Sequence, residues 1–146
     1  MTYPNTTPHA ALMLRIALGS MFIAHALLKI MVFTPAGTAG FFASLGVPGW
    51  FAYPVMAIEL IGGIMLIAGF QVRAVSVSLL PVLLGSIVLV HAGNGWLFTN
   101  ANGGWEYPLF LTVAAMVQAL LGDGAYSVSE LLARHRSANT SRIVTA

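Results

Sequence analysis

The sequence contains no cysteine and very little charge. Only 7% of its 146 residues are Asp, Glu, Lys or Arg, whereas a soluble globular domain carries roughly 25%. Without cysteine, the chain can form no disulfide, thiolate zinc site or all-cysteine iron–sulfur cluster, and we predict no metal site. The six basic residues form no patch with interleaved aromatics, so we predict no nucleic-acid partner.

Apolar residues are abundant instead, at 58% of the chain, and the mean hydropathy is +0.88. A chain of this length has room for about four membrane-spanning helices of ~20 residues each. The pattern predicts an all-α integral membrane four-helix bundle. The predicted spans are 10–33, 51–70, 74–92 and 107–121.

Two connecting segments have their own pattern. The loop 35–49 is rich in glycine but carries several large apolar side chains, which predicts a short interfacial helix over 38–45. The residues after 124 are polar, and we expect the last ten to be disordered.

Positive charges and tryptophans predict the topology. Four arginines fall on one side of a four-span chain: Arg73, Arg134, Arg136 and Arg142. The positive-inside rule makes that side cytoplasmic, together with both termini. The three tryptophans then lie at the outer interface: Trp50, Trp96 and Trp105.

Glu59 lies near the middle of 21 otherwise uncharged residues, 50–70. A carboxylate at the centre of a spanning helix costs about 2.5–3.5 kcal/mol, so it needs a partner or a function. Two interpretations are open. Glu59 is half of a structural ion pair with Lys29 or Arg15, or it belongs to a site that binds a ligand and exchanges protons.

The first predicted span carries a polar face, because Arg15, His25 and Lys29 recur at helical spacing. Arg15 is ~15 Å deeper along that helix than His25. We therefore predict that Glu59 is buried within hydrogen-bonding reach of Lys29 or His25. Together with His91, these groups predict a polar cavity in the outer half of the bundle.

Each candidate in this cavity has a functional and a structural interpretation. Glu59 and His25 are the candidate catalytic groups, as proton exchangers. The candidate ligand-binding residues are Lys29, His91, Asn94, Glu106 and Arg15. Structurally, Lys29 could snorkel to the headgroups, His25 could be a packing residue, and His91 with Asn94 could cap a helix. Two histidines could also ligate haem, but a quinone headgroup fits so short a chain more easily.

Several stretches together resemble the DoxX family. The resemblance covers roughly residues 10–127. It rests on 14–19 with His25 and Lys29 in the first span, and on the segments 37–48, 59–63, 91–95 and 102–108. It implies a four-helix, multi-pass protein of the bacterial inner membrane. We therefore predict a transmembrane domain over 1–127 and, from the positive charges, a polar cytoplasmic tail over 128–146.

The same resemblance suggests a redox role without naming a reaction. The family takes its name from a subunit of a terminal quinol oxidase and thiosulfate:quinone oxidoreductase system, and most members are described only as oxidoreductases. The implied cofactor is unknown, with a quinone as the candidate. The implied partners are the lipid bilayer and a membrane redox partner or a second copy of the chain. Two alternatives stay open: a non-catalytic binding or assembly subunit, and a small transporter. Whether the chain is an enzyme by itself is also open.

Overall fold

The structure is a computed structural model that describes residues 4–144. Its regular secondary structure within this range is helical, with no strand. The α-helices are α1 (Thr7–Leu27), α2 (Pro35–Ser44), α3 (Ala52–Ala68), α4 (Val72–Ser86), α5 (Glu106–Leu121) and α6 (Val128–Val144). The predicted all-α class is confirmed. With the shorter helical turns that continue them, the four long helical segments begin and end within three residues of their predicted bounds: Thr7–Val32, Gly49–Ala68, Val72–Asn94 and Glu106–Leu121.

The helices α1, α3, α4 and α5 pack in a ring, in which α1 and α4 each contact both α3 and α5. Three helical segments are long and apolar enough to cross a membrane: Thr7–Val32, Gly49–Ala68 and Val72–Asn94. These segments identify a membrane protein whose surroundings are a lipid bilayer. The fourth helix, α5, has only 16 residues, so its crossing stays a prediction.

Two glycines allow α1 and α3 to approach closely. A Cβ atom at Gly19 would lie 2.6 Å from the backbone oxygen of Gly63, and one at Gly63 would lie 2.8 Å from the backbone oxygen of Gly19. Any larger residue at either position would push the backbones apart. Small residues at such crossings are typical of helices that pack inside membranes, where van der Waals contact drives association.

The predicted interfacial segment is a helix, but it begins earlier than predicted, at Pro35. The side chain of Thr34 accepts a hydrogen bond from the backbone N–H of Gly37 at 3.2 Å, and Pro35 occupies the first helical turn. A threonine cap followed by proline is a strong start signal for a helix.

The last ten residues, which we expected to be disordered, continue α6 over 137–144, and 145–146 lie outside the described residues. This helix begins at a capping interaction in which the backbone N–H of Glu130 donates to Ser127 Oγ at 3.2 Å. One turn later, Arg134 donates to the Glu130 carboxylate at 2.6 Å. Capping and an i, i+4 ion pair both favour helix in a polar segment.

A candidate site at a buried ion pair

A cavity of about 950 Å³ lies between the long helices and α2. Small-molecule sites commonly measure about 300–1,000 Å³. Its wall is mostly apolar, and Phe22, Leu83 and Leu111 belong both to the wall and to the hydrophobic core. The polar residues of the wall are His25, Lys29, Thr38, Glu59, Ser86, His91 and Tyr107.

The central polar feature of this wall is an ion pair between α3 and the end of the first span. Lys29 Nζ lies 2.8 Å from both carboxylate oxygens of Glu59. The Glu59 side chain is 5% exposed and that of Lys29 is 20% exposed. The prediction that Glu59 is buried beside a basic residue of the first span is therefore confirmed, and that residue is Lys29. An ammonium group has three N–H donors, so this geometry leaves one for a further acceptor.

The helices that carry Lys29 and His91 each continue as a π-helix, which is wider than an α-helix, where these residues occur. The α1 helix continues as a π-helix over Leu28–Val32, and α4 continues as one over Ile87–His91. In the first, the backbone N–H of Phe33 donates to Leu28 O at 3.0 Å. Such turns are rare and frequently occur at functional sites. Here they place Lys29 and His91 on the cavity wall.

The two histidines of the wall are held by the same kind of hydrogen bond. The Nδ1 atom of His25 lies 2.9 Å from Met21 O, and that of His91 lies 2.9 Å from Gly103 O. Because a carbonyl can only accept, Nδ1 carries the proton in both rings. In the neutral form, Nε2 is then the nitrogen with a free lone pair, and each ring can take up a proton there.

The short helix α2 covers the site and is tied to it through Thr38. This threonine is 3% exposed, and its hydroxyl contacts the backbone oxygens of Lys29 at 3.1 Å and of Thr34 at 2.9 Å. The backbone of Lys29 is thus held by α2, while its side chain is held by α3. Thr38 is a positioning residue for the ion pair.

Two predicted ligand-binding residues organise the loop 92–105 before α5 instead. The Asn94 side-chain amide donates to the backbone oxygens of Val90 and Gly103, each at 3.0 Å. The Glu106 carboxylate accepts from the backbone N–H of Phe98 at 2.9 Å. Within residues 4–144, the residues that line the cavity do not include Asn94 or Glu106.

Arg15 lies at the other end of the bundle, beside the α3–α4 turn. Its guanidinium donates to the backbone oxygens of Ala125 at 2.8 Å and Tyr126 at 3.1 Å, and it approaches Leu66 O at 3.5 Å. The guanidinium occupies the place that a Cβ atom would take at Gly69. The structure therefore separates Arg15 from the cavity and from Glu59.

Sequence reasoning did not single out Thr38, Ser86 or Tyr107 as site residues. Tyr107 lies near His25, with 6.5 Å between ring centroids and 22° between ring planes. Tyr107 is close in sequence to Trp105, which the sequence places at the outer interface, and the buried hydroxyl of Thr38 in a short helix has no distinctive spacing. Pro108 lies in the first turn of α5 and marks where this helix begins. The start of the helix in turn fixes how deep Tyr107 lies.

Comparison with known proteins identifies the family. The family model described as DoxX matches residues 10–92. The chain belongs to the DoxX family. A relative from Bacillus subtilis (strain 168), named "Putative oxidoreductase CatD", is 37% identical over 101 residues, which cover 69% of this chain and 72% of the relative. No solved structure gives a significant match.

Proposed function

We propose that this DoxX protein is a redox-linked protein of the bacterial inner membrane that binds a quinone or a small aromatic compound in the cavity beside Lys29 and Glu59. The observation that carries the proposal is the buried, two-pronged ion pair on the wall of an otherwise apolar cavity. Ionisable groups inside a membrane bundle are functional by default. The name of the Bacillus relative supports a redox role.

The wall contains the groups that a quinone ring needs. The third N–H of Lys29 can donate to a ring oxygen, and Nε2 of His25 can accept from a ring hydroxyl. Reduction of a quinone to a quinol takes up two electrons and two protons. In this proposal, His25 and Glu59 exchange the protons with the ring oxygens, and a separate membrane redox partner supplies or receives the electrons.

A second candidate function is a non-catalytic binding or assembly subunit, in which the ion pair only joins α1 to α3. The nearly symmetric contact of Lys29 with both carboxylate oxygens favours this alternative, because each charge already has a partner. A small transporter is a weaker alternative, since four spans without an internal repeat provide little for alternating access.

Substitution of Glu59 by Gln tests the proposal. The change keeps the size of the side chain but removes the charge and the proton acceptor, so we expect affinity for quinones to fall about tenfold or more. His25→Ala and His91→Ala should also weaken binding. Ligand titration and thermal unfolding would be measured on the same detergent-solubilised samples.

Glu130→Gln is the matched control, because Glu130 is an exposed carboxylate of α6 that pairs with Arg134 and lies outside the cavity. Its affinity should equal that of the unmodified protein. Unchanged binding of every tested quinone and phenol in the three cavity variants, with lowered melting temperatures, would favour the assembly role. In that case, replacing both charges together with apolar residues, Lys29→Met and Glu59→Leu, should restore the stability that Glu59→Gln removes.

A further inference from the structure

The exposed part of the cavity wall is mostly apolar, whereas the side chains of its ion pair are only 5% (Glu59) and 20% (Lys29) exposed. Five large apolar residues of the wall are 41–54% exposed: Leu28, Phe33, Phe41, Phe51 and Leu89. Among the exposed side chains of the wall in residues 4–144, only Tyr107 carries a polar group. A mouth that opened to water would carry polar groups around its rim. An apolar rim is what a surface in contact with lipid chains requires.

The loop 92–105 covers the cavity wall at His91. His91 is bound to Gly103, and Gly104 and Trp105 close the loop through backbone hydrogen bonds to Leu97 O at 2.9 Å and Gly95 O at 3.1 Å. This loop therefore lies against His91, one of the polar residues of the wall. The route with the lowest polarity leads past the apolar rim into the bilayer.

The part of the cavity wall formed by α4 and its π-helical continuation has an unfilled space. Pro81 and Gly85 of α4 and Leu89 of the π-helix that continues it all line the cavity. A Cβ atom at Gly85 would meet no atom within 4 Å. The wall therefore has an open slot beside Gly85, between Pro81 and the exposed Leu89.

We propose that the cavity is entered from the bilayer and takes a lipid-soluble quinone with an alkyl tail. The ring lies at Lys29 and Glu59, and the tail lies in the slot beside Gly85 and Leu89. This inference rests on the proposed function and names its ligand class. An apolar rim and slot would bind an alkyl tail, which a water-soluble phenol lacks.

Gly85→Leu tests the position of the tail. The new side chain fills the slot without meeting the backbone, and leucine is a better helix former than glycine, so the bundle should fold. Gly40→Leu is the matched control, because Gly40 also has open space at its Cβ, lies in α2 and does not line the cavity. The probes are a benzoquinone and a naphthoquinone, each without a tail and with a decyl tail. Binding is measured in lipid nanodiscs against empty discs.

We expect Gly85→Leu to weaken binding of the decyl compounds about tenfold, as overpacking of a filled slot does, and to leave binding of the tail-less compounds unchanged. Gly40→Leu should bind all four probes like the unmodified protein. If Gly85→Leu lowers the melting temperature, Leu89→Trp narrows the same slot one turn further along.

Two results would overturn the inference in different ways. If both slot variants bind decyl and tail-less compounds with unchanged affinity, or lose both equally, the tail does not lie along α4, while the proposed quinone site stands. If the unmodified protein retains none of the four quinones above empty discs, the proposed function itself fails and the inference fails with it.

Discussion

Arg15 shows how a charge in a span can be structural. It is 1% exposed, yet its partners are backbone oxygens rather than a carboxylate. The backbone oxygens at the end of a helix have no partners within the helix, and the negative end of the helix dipole favours a cation there. Arg15 thereby joins the end of α3 to the segment that follows α5.

We predict that Arg15→Leu lowers the free energy of unfolding by about 2 kcal/mol or more, because it leaves buried carbonyl groups without donors. Arg15→Lys should recover only part of this loss, since a point charge cannot reproduce the planar fork of donors. Unfolding in mixed detergent checks both. Quinone affinity should stay unchanged in the folded fraction. Lost affinity at full stability would instead restore Arg15 to the ligand-binding residues that the sequence suggests.

The ion pair illustrates what residue spacing can and cannot show. Spacing along the first span places His25 and Lys29 on one face and at nearly the depth of Glu59, and the structure brings all three to one cavity. Lys29 reaches Glu59 from the π-helix that follows Leu27, and no local sequence pattern predicts that π-helix.

At the scale of helices, the crossing of α1 and α3 depends on the small size of Gly19 and Gly63. Alanine is normally a better helix residue than glycine by roughly 0.5–1 kcal/mol. At Gly63, however, the new Cβ would lie 2.8 Å from both Gly19 O and Ile23 Cγ1, so the helices must separate.

We predict opposite signs for two glycine substitutions. Gly63→Ala should destabilise the bundle by about 1–3 kcal/mol, the usual cost of overpacking. Gly40→Ala, at a helical glycine with open space around it, should be neutral or slightly stabilising. Melting temperatures in one detergent decide the matter. Equal shifts for the two variants would mean that the α1–α3 contact tolerates a wider separation than the structure has.

At the scale of the whole molecule, the open question is whether α5 crosses the bilayer. Its 16 residues span ~24 Å, which is shorter than the ~30 Å hydrocarbon core. A short span can be accommodated by local thinning of the bilayer at a modest cost.

Cysteine labelling can answer this question cleanly, because the chain has no cysteine of its own. We predict that a membrane-impermeant maleimide labels Asn100→Cys in intact cells and spares Ser137→Cys, as the positive-inside rule requires. Labelling of Ser137→Cys alone would reverse the orientation. Equal labelling of both positions would place the loop and α6 on one side, so that α5 does not cross.

The sequence by itself determined the helical class, the membrane environment, the family and Glu59 as the residue to explain. These follow from properties that add up along the chain: hydropathy over a span, the cost of one buried charge, and a set of local motifs. Tertiary structure alone decided that Lys29 is the partner of Glu59, that Arg15 serves the opposite end, and that Asn94 and Glu106 shape a loop. It decided them because the direction of a side chain depends on how each helix is rotated, where it widens into a π-helix and which backbone oxygens its neighbours leave free, and none of these is a property of residue spacing.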